Sequence, residues 1–179
     1  MLRRNYRRRE GVSLADGSEM RLDGMEGDCL ELALDVDDPR GQRFGVMVRC
    51  APDGEERTVI LFDDDTGTLQ VDTSRSSLSP DIVQPWPQHG TSFSPNPLDG
   101  REDVRVQKAP FALAPGEPLR LRIFLDRSIL EVFANSRQCV TQRIYPTRGD
   151  SMGVRLFSEK GRVSVRSVEA WDMAAANPW

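Results

Sequence analysis

The chain has 179 residues, 38% apolar and 29% charged, with a formal net charge of −4 at neutral pH. That length fits one domain and buries roughly 70% of the surface the unfolded chain exposes, so a packed core forms without staples. The balance excludes collagen, coiled coil and wholesale disorder, and there is no run of about 18 apolar residues to form a membrane-spanning helix.

The charge is uneven. Residues 1–10 hold Arg3, Arg4, Arg7, Arg8 and Arg9 against Glu10 alone, leaving 19 basic and 27 acidic residues in the rest. An acidic body excludes nucleic acid as the main partner, because phosphate binding needs a broad basic surface. The arginine-rich start, residues 1–24, reads as a solvated tail or linker rather than an RNA-binding arm. No apolar stretch follows it to make a secretory signal. Cys29, Cys50 and Cys139 are odd in number and lack CxxC spacing, which points to buried free thiols. A cytoplasmic setting is the simplest expectation, or a secreted one if the chain is a fragment of a larger enzyme.

Period-2 alternation then dominates. Leu30, Leu32, Leu34 and Val36 alternate with Glu31, Ala33 and Asp35, the pattern of a half-buried strand. Asp37 to Gly41 supplies a turn, and Phe44, Val46, Val48 and Cys50 the next strand. Pro52-Asp53-Gly54 turns again before strands at 57–62 and 68–72. Residues 80–118 hold eight of the twelve prolines, with Trp86 and His89 among them. This stretch, about 78–118, reads as a long loop inserted into the domain. Beyond it Leu119, Leu121, Ile123 and Leu125 share one strand face. Strands at 129–134, 138–145, 153–158 and 162–171 follow, and 174–179 form a terminal tail. Short strands with turns at regular intervals predict an all-β, two-sheet antiparallel sandwich of the jelly-roll or concanavalin-like kind, spanning 25–173.

Little in the chain looks like a complete catalytic apparatus. His89, in a Pro/Gly loop without a GxSxG-like nucleophile nearby, makes a poor triad base. Asp63 to Gly67 lacks the bidentate glutamate of an EF-hand, since Ser74 stands where it is needed, and reads as a turn. No metal and no cofactor are expected. Glycoside hydrolysis uses two carboxylates, roughly 5–10 Å apart. Asp126 and Glu131 flank one turn and can approach across the hairpin, with Arg127 between them. An arginine there keeps carboxylates ionised, which suits a structural ion pair or hydrogen bonds to sugar hydroxyls better than proton donation.

The stretch 119–173 carries Asp126-Arg127-Ser128, then Glu131-Val132-Phe133-Ala134-Asn135, Arg143-Ile144-Tyr145-Pro146, Leu156-Phe157-Ser158 and Ala170-Trp171-Asp172-Met173. Upstream stand Leu30-Glu31-Leu32, Phe44-Gly45-Val46, Arg49-Cys50 with Pro52 to Glu56, and Asp72 with Arg75-Ser76-Ser77. In this order the pieces resemble the C-terminal β-sandwich of the family 32 glycoside hydrolases, the invertases, levanases, inulinases and other β-fructofuranosidases. The resemblance implies a partner, because in that family a five-bladed propeller ahead of the sandwich carries the catalytic carboxylates. Its NDPNG-like, Arg-Asp-Pro and Glu-Cys motifs do not occur here. The resemblance therefore implies a non-catalytic module that stabilises a propeller or mediates self-association. The alternative it implies is a module that binds terminal fructose of fructans. For that role Asp126, Arg127, Glu131 and Arg75 supply polar groups and Trp86 or Trp171 an aromatic face. In the scaffold reading, Arg127 ties its turn to a neighbouring strand, Phe133 fills the space between sheets and Trp171 caps the core.

Overall fold

A computed structural model describes residues 2–82 and 104–174. Twelve strands account for the regular structure of these residues, and no helix occurs among them. They are β1 (Arg3–Leu14), β2 (Glu19–Arg21), β3 (Cys29–Val36), β4 (Arg43–Cys50), β5 (Thr58–Asp63), β6 (Thr68–Asp72), β7 (Val106–Pro110), β8 (Leu119–Asp126), β9 (Ile129–Ala134), β10 (Gln138–Arg143), β11 (Gly153–Lys160) and β12 (Val163–Met173). They build two six-stranded antiparallel sheets. Sheet A has the order β1-β12-β3-β8-β9-β10, and sheet B the order β2-β11-β4-β5-β6-β7.

The alternation read from the sequence is what closes the sandwich. Leu30, Leu32, Leu34 and Val36 of sheet A face Phe44, Val46, Val48, Ile60, Phe62 and Leu69 of sheet B, all buried in one core. Because the side-chain period is two, the intervening residues lie on the outer faces. On sheet B that outer face is closed by its own side chains. The Phe157 ring lies over Gly45, so close that a Cβ there would stand 2.2 Å from its Cζ. Phe157 and Leu61 stay buried as a result.

Two expectations need correction. The arginine-rich start is not a tail. It holds the short strand β2, paired with β11, and the twelve-residue strand β1, paired along most of its length with β12 from Arg3↔Met173 to Leu14↔Val163. The apolar alternation of β1 is confined to the last turn of sequence, Val12 and Leu14, and so it does not read as a strand from pattern alone. The arginines have a physical role there. An edge strand exposes unpaired backbone groups, and long charged side chains plus a bulge protect it from pairing with another chain. The register slips between Arg4 and Arg7, where Asn5 takes a left-handed conformation at φ 48°. The second correction is inside the proline-rich stretch. Residues 106–110 form β7, the edge of sheet B, beside β6, with Pro110 at its end where the missing donor does no harm. Trp86 and His89 lie outside the described residues.

Candidate functional site

The strand order defines two ends. At one, which we call proximal, β3, β9, β5 and β11 begin and β8, β10, β4, β6 and β12 finish. Leu2 and Ala174 meet there, with the Ala174 amide donating to the Leu2 carbonyl at 2.8 Å. The opposite, distal end carries the connections after β1, β3, β5, β7, β9 and β11.

Asp126 and Arg127 sit at the proximal end, in the turn between β8 and β9. Arg127 has φ 52° and is held by its backbone, its amide donating to the Asp28 carbonyl at 2.8 Å. The turn is thus tied to its neighbour through the main chain rather than through the guanidinium fork. Asp126 is exposed and accepts a weak contact from the Cys29 thiol at 3.7 Å. Glu131 pairs in register with Phe124 and Thr141 on the outer face of sheet A. Asp126 opposes Ile129, which makes Glu131 its diagonal neighbour, at about 7–8 Å by strand geometry. Trp171 lies in the same cross-strand row as Glu131, through Glu31 and Phe124. It does not cap the core. It stacks on Tyr6 at 5.3 Å and lies under the Arg3 guanidinium at 4.6 Å. Phe133 is likewise outside the core, edge-to-face with Phe124 at 6.0 Å. Arg75 is not with them. It lines a separate depression on the sheet B side with Met47, Arg57 and Arg155. The six candidates therefore divide: Asp126, Arg127, Glu131 and Trp171 belong to sheet A, Arg75 to the other side, and Trp86 lies outside the described residues.

Two carboxylates missed by the motif reading are buried and held by several polar partners. Glu31 is 1% exposed although it points to an outer face. Arg3 reaches it with Nε at 2.7 Å and a terminal nitrogen at 2.6 Å, and Arg122 Nε lies 2.7 Å away. Two guanidinium groups thus offset the cost of removing one carboxylate from water. Glu56 is wholly buried at the proximal end. It accepts from the Thr147 amide at 2.7 Å, the Thr147 hydroxyl at 2.8 Å, the Arg148 amide at 3.1 Å, the Ser151 hydroxyl at 2.5 Å and the Leu78 amide at 3.2 Å. Burial pushes its pKa up, but the hydrogen bonds from Ser151, Thr147 and Arg148 outweigh it and hold the carboxyl below its ordinary value. Glu56 stands in the motif Pro52 to Glu56, where an apolar-free turn gave no hint of burial.

Of the cysteines, Cys50 alone is buried. Burial pushes its thiol up to about 12, so it is an inert core group. Among the described residues no cluster of three or more His, Cys, Asp or Glu is placed to hold a metal ion.

The family model for "Glycosyl hydrolases family 32 C terminal" matches residues 2–172. The chain belongs to the family 32 glycoside hydrolase C-terminal domains. Among curated proteins it is similar to Beta-fructofuranosidase 1 of Zea mays, 32% identical over 145 residues, covering 74% of this chain and 19% of that protein. It is also similar to the levanase of Bacillus subtilis, 31% identical over 163 residues, covering 89% of this chain and 21% of the levanase. The chain thus spans about a fifth of the length of these relatives. Among solved structures, fructan 1-exohydrolase IIa of Cichorium intybus matches with a TM-score of 0.76 and 21% identity, over 98% of this chain and 36% of that one. This likeness shows the fold, a two-sheet β-sandwich of the family 32 C-terminal kind. The match from residue 2 also agrees with β1 as an integral strand of the family 32 domain.

Proposed function

We propose that this domain is a non-catalytic module that packs its proximal end against the catalytic propeller of a β-fructoside-processing enzyme. The observation that carries the proposal is where the apolar surface lies. Five large apolar or aromatic side chains are exposed among the described residues: Tyr6, Leu2, Leu78, Ile129 and Tyr145. Leu2 and Ile129 stand at the proximal ends of sheet A, Tyr145 lies just past β10 after Ile144, Leu78 lies in the connection after β6, and Tyr6 lies in the first third of β1. None belongs to the distal turns.

Three of the five lie on segments that hydrogen bonds bring together. The Ile144 amide donates to the Ser128 carbonyl at 2.9 Å, which sets Tyr145 beside Ile129. Glu56 accepts from both Leu78 and Thr147 through the same oxygen, which brings the segment of Leu78 up to the segment that follows Tyr145. A contiguous apolar patch on an otherwise charged surface marks an interaction site. In the order of family 32 enzymes the propeller precedes the sandwich, and a chain arriving at Leu2 arrives at this end.

Asp126 and Glu131 support the non-catalytic part. Neither is buried, and neither is among the residues that line the depression on their face of sheet A. The test has two arms. The pure chain, assayed on sucrose, inulin and levan, is expected to give no turnover. A family 32 propeller from the same genome, co-expressed with it, is expected to co-purify, and the double variant Ile129→Asp/Tyr145→Asp to abolish that. Turnover by the chain alone, or co-purification untouched by the double variant, would overturn the proposal.

A further inference from the structure

A second surface lies away from the proximal end. The outer face of sheet A carries a groove of about 970 Å³, the upper part of the range of ligand pockets. Its floor is low because the side chains there are small: Ala33 of β3 and Ser167 of β12. Their rows continue into Arg122 and Arg120 of β8. At one side stand Phe124 and Phe133, an edge-to-face aromatic pair, half-buried and not part of the core.

One wall is built, not incidental. Asn135 and Ser136 both take left-handed conformations, at φ 47° and 53°. The Asn135 side chain is fixed by three bonds. Its Oδ1 accepts from the Arg120 amide at 2.6 Å, and its Nδ2 donates to Glu117 at 2.7 Å and to the Pro118 carbonyl at 2.9 Å. Glu117 in turn accepts from Arg137 at 2.8 Å and 3.0 Å and from the Ala114 amide at 2.8 Å. Arg137 lies over the Phe111 ring at 5.3 Å. A wall ordered before a ligand arrives loses little entropy on binding.

The charges name the ligand class. Asp35, Glu117 and Glu169 line the groove against Arg120, Arg122 and Arg137, three of each sign. Arg122 is committed to Glu31 and Arg137 to Glu117. A phosphate or carboxylate ligand would meet as many like charges as opposite ones, and a cation likewise. Paired carboxylates and guanidinium groups keep planar acceptors and donors in fixed positions, the geometry that bridges adjacent hydroxyls. The phenylalanine pair offers an apolar face to ring C–H groups.

We infer that the outer face of sheet A is a binding site for a neutral oligosaccharide, seated between the Phe124–Phe133 pair and the Asn135–Glu117 wall. It is distinct from the proximal docking surface and from the Asp126–Arg127 turn. The test is calorimetric titration of the chain with raffinose, maltotriose and 1-kestose, with trigalacturonate as the anionic control. Saturable binding of at least one neutral trisaccharide is expected, stronger than of trigalacturonate. Arg120→Ala, which removes an exposed side chain, is expected to weaken it about tenfold, the worth of one hydrogen bond to a charged group. Ala33→Phe, which fills the floor without removing any contact of the core, is expected to weaken it at least as much. Asp126→Ala and Ile129→Asp/Tyr145→Asp are expected to leave affinity unchanged. Absence of saturable binding, preference for trigalacturonate, or binding lost in Asp126→Ala but retained in both groove variants would overturn the inference. Since the docking variants are read in the same titration, failure of either proposal is distinguishable from failure of the other.

Discussion

The two ends of the sandwich are built from the same strands and answer to different demands. The distal end is a set of tight, charged turns. Lys160 pairs with Asp65 at 2.6 Å, Arg40 with Asp38 at 2.6 Å, and Arg43 with Glu159 at 3.0 Å, all partly or well exposed. The proximal end has longer connections, a buried carboxylate and the exposed apolar side chains. A turn that meets no other protein is satisfied by residues that hydrogen-bond their own backbone and carry charge. An end that meets another surface needs apolar groups outside and a rigid support beneath them. Glu56 is that support, because it ties the segment after β6 to the segment before β11 with one carboxylate.

The largest expected effect follows from that. Glu56→Ala leaves two hydroxyls and three backbone amides without their acceptor, and the cost is about 2–4 kcal/mol. For a domain of this size that lowers Tm by roughly 5–15 °C, measurable by calorimetry or circular dichroism. The pH dependence has a defined sign. The folded carboxyl titrates below its ordinary value, so its contribution is complete above the unfolded value of about 4.3. That contribution is lost as pH falls through the lower folded value. Glu56→Gln is expected to flatten this part of the acid profile while retaining some of the bonds. A Tm unchanged in Glu56→Ala would mean that the proximal loops hold themselves, and the contrast between the ends would lose its cause.

Glu31 sharpens a different contrast, between β1 as tail and β1 as strand. Glu31→Ala removes the acceptor shared by Arg3 and Arg122. Both arginines are partly exposed and regain water, so the loss is about 1–2 kcal/mol. It is expected to fall on the first residues of β1, where hydrogen exchange of Arg3 to Arg7 should quicken more than that of Val12 to Leu14. Equal quickening throughout would mean that β1 opens as one unit.

Much of this architecture is legible in the sequence, and its limits are physical. Nine of the strands announce themselves because their inner positions are continuously apolar, as at Leu30 to Val36 and Leu119 to Leu125. β1 does not, since an edge strand guarded by arginines hides its pattern; β2 does not, because three residues are too few to show a period; and β7 does not, because it lies among prolines. The site is less legible than the fold. Asp126 and Glu131 share the outer face of sheet A, where Trp171 joins them instead of capping the core, and the motif reading drew Arg75 to the same place, although it lies on the sheet B side. Period-2 reasoning assigns a face and not a sheet. Glu31 and Glu56 look like surface residues in the sequence, for their burial is made by arginines and loops from 22 to 95 positions away.

The double variant Ile129→Asp/Tyr145→Asp has a smaller effect on the chain itself and a large one on its partner. Both side chains are already exposed, so stability should move by no more than about 0.5 kcal/mol. Association with the propeller should weaken by about 30-fold or more, the loss typical of an interface centre. A fall in stability comparable to that of Glu56→Ala would mean that these side chains belong to the core rather than to a partner.

The smallest effect is the distal control. Lys160→Ala breaks a short ion pair with both oxygens of Asp65. The two side chains are about half exposed. In water the Coulomb gain of such a pair is nearly matched by the entropy of holding two long side chains in place, so the cost is expected to be about 0–0.5 kcal/mol. The shift should shrink further in 0.5 M salt, because exposed charges are screened over a few ångströms. Propeller association should not respond at all. A measurable loss of association in Lys160→Ala would place part of the partner at the distal end, and the end defined by Leu2, Ile129 and Tyr145 would no longer be the sole docking surface.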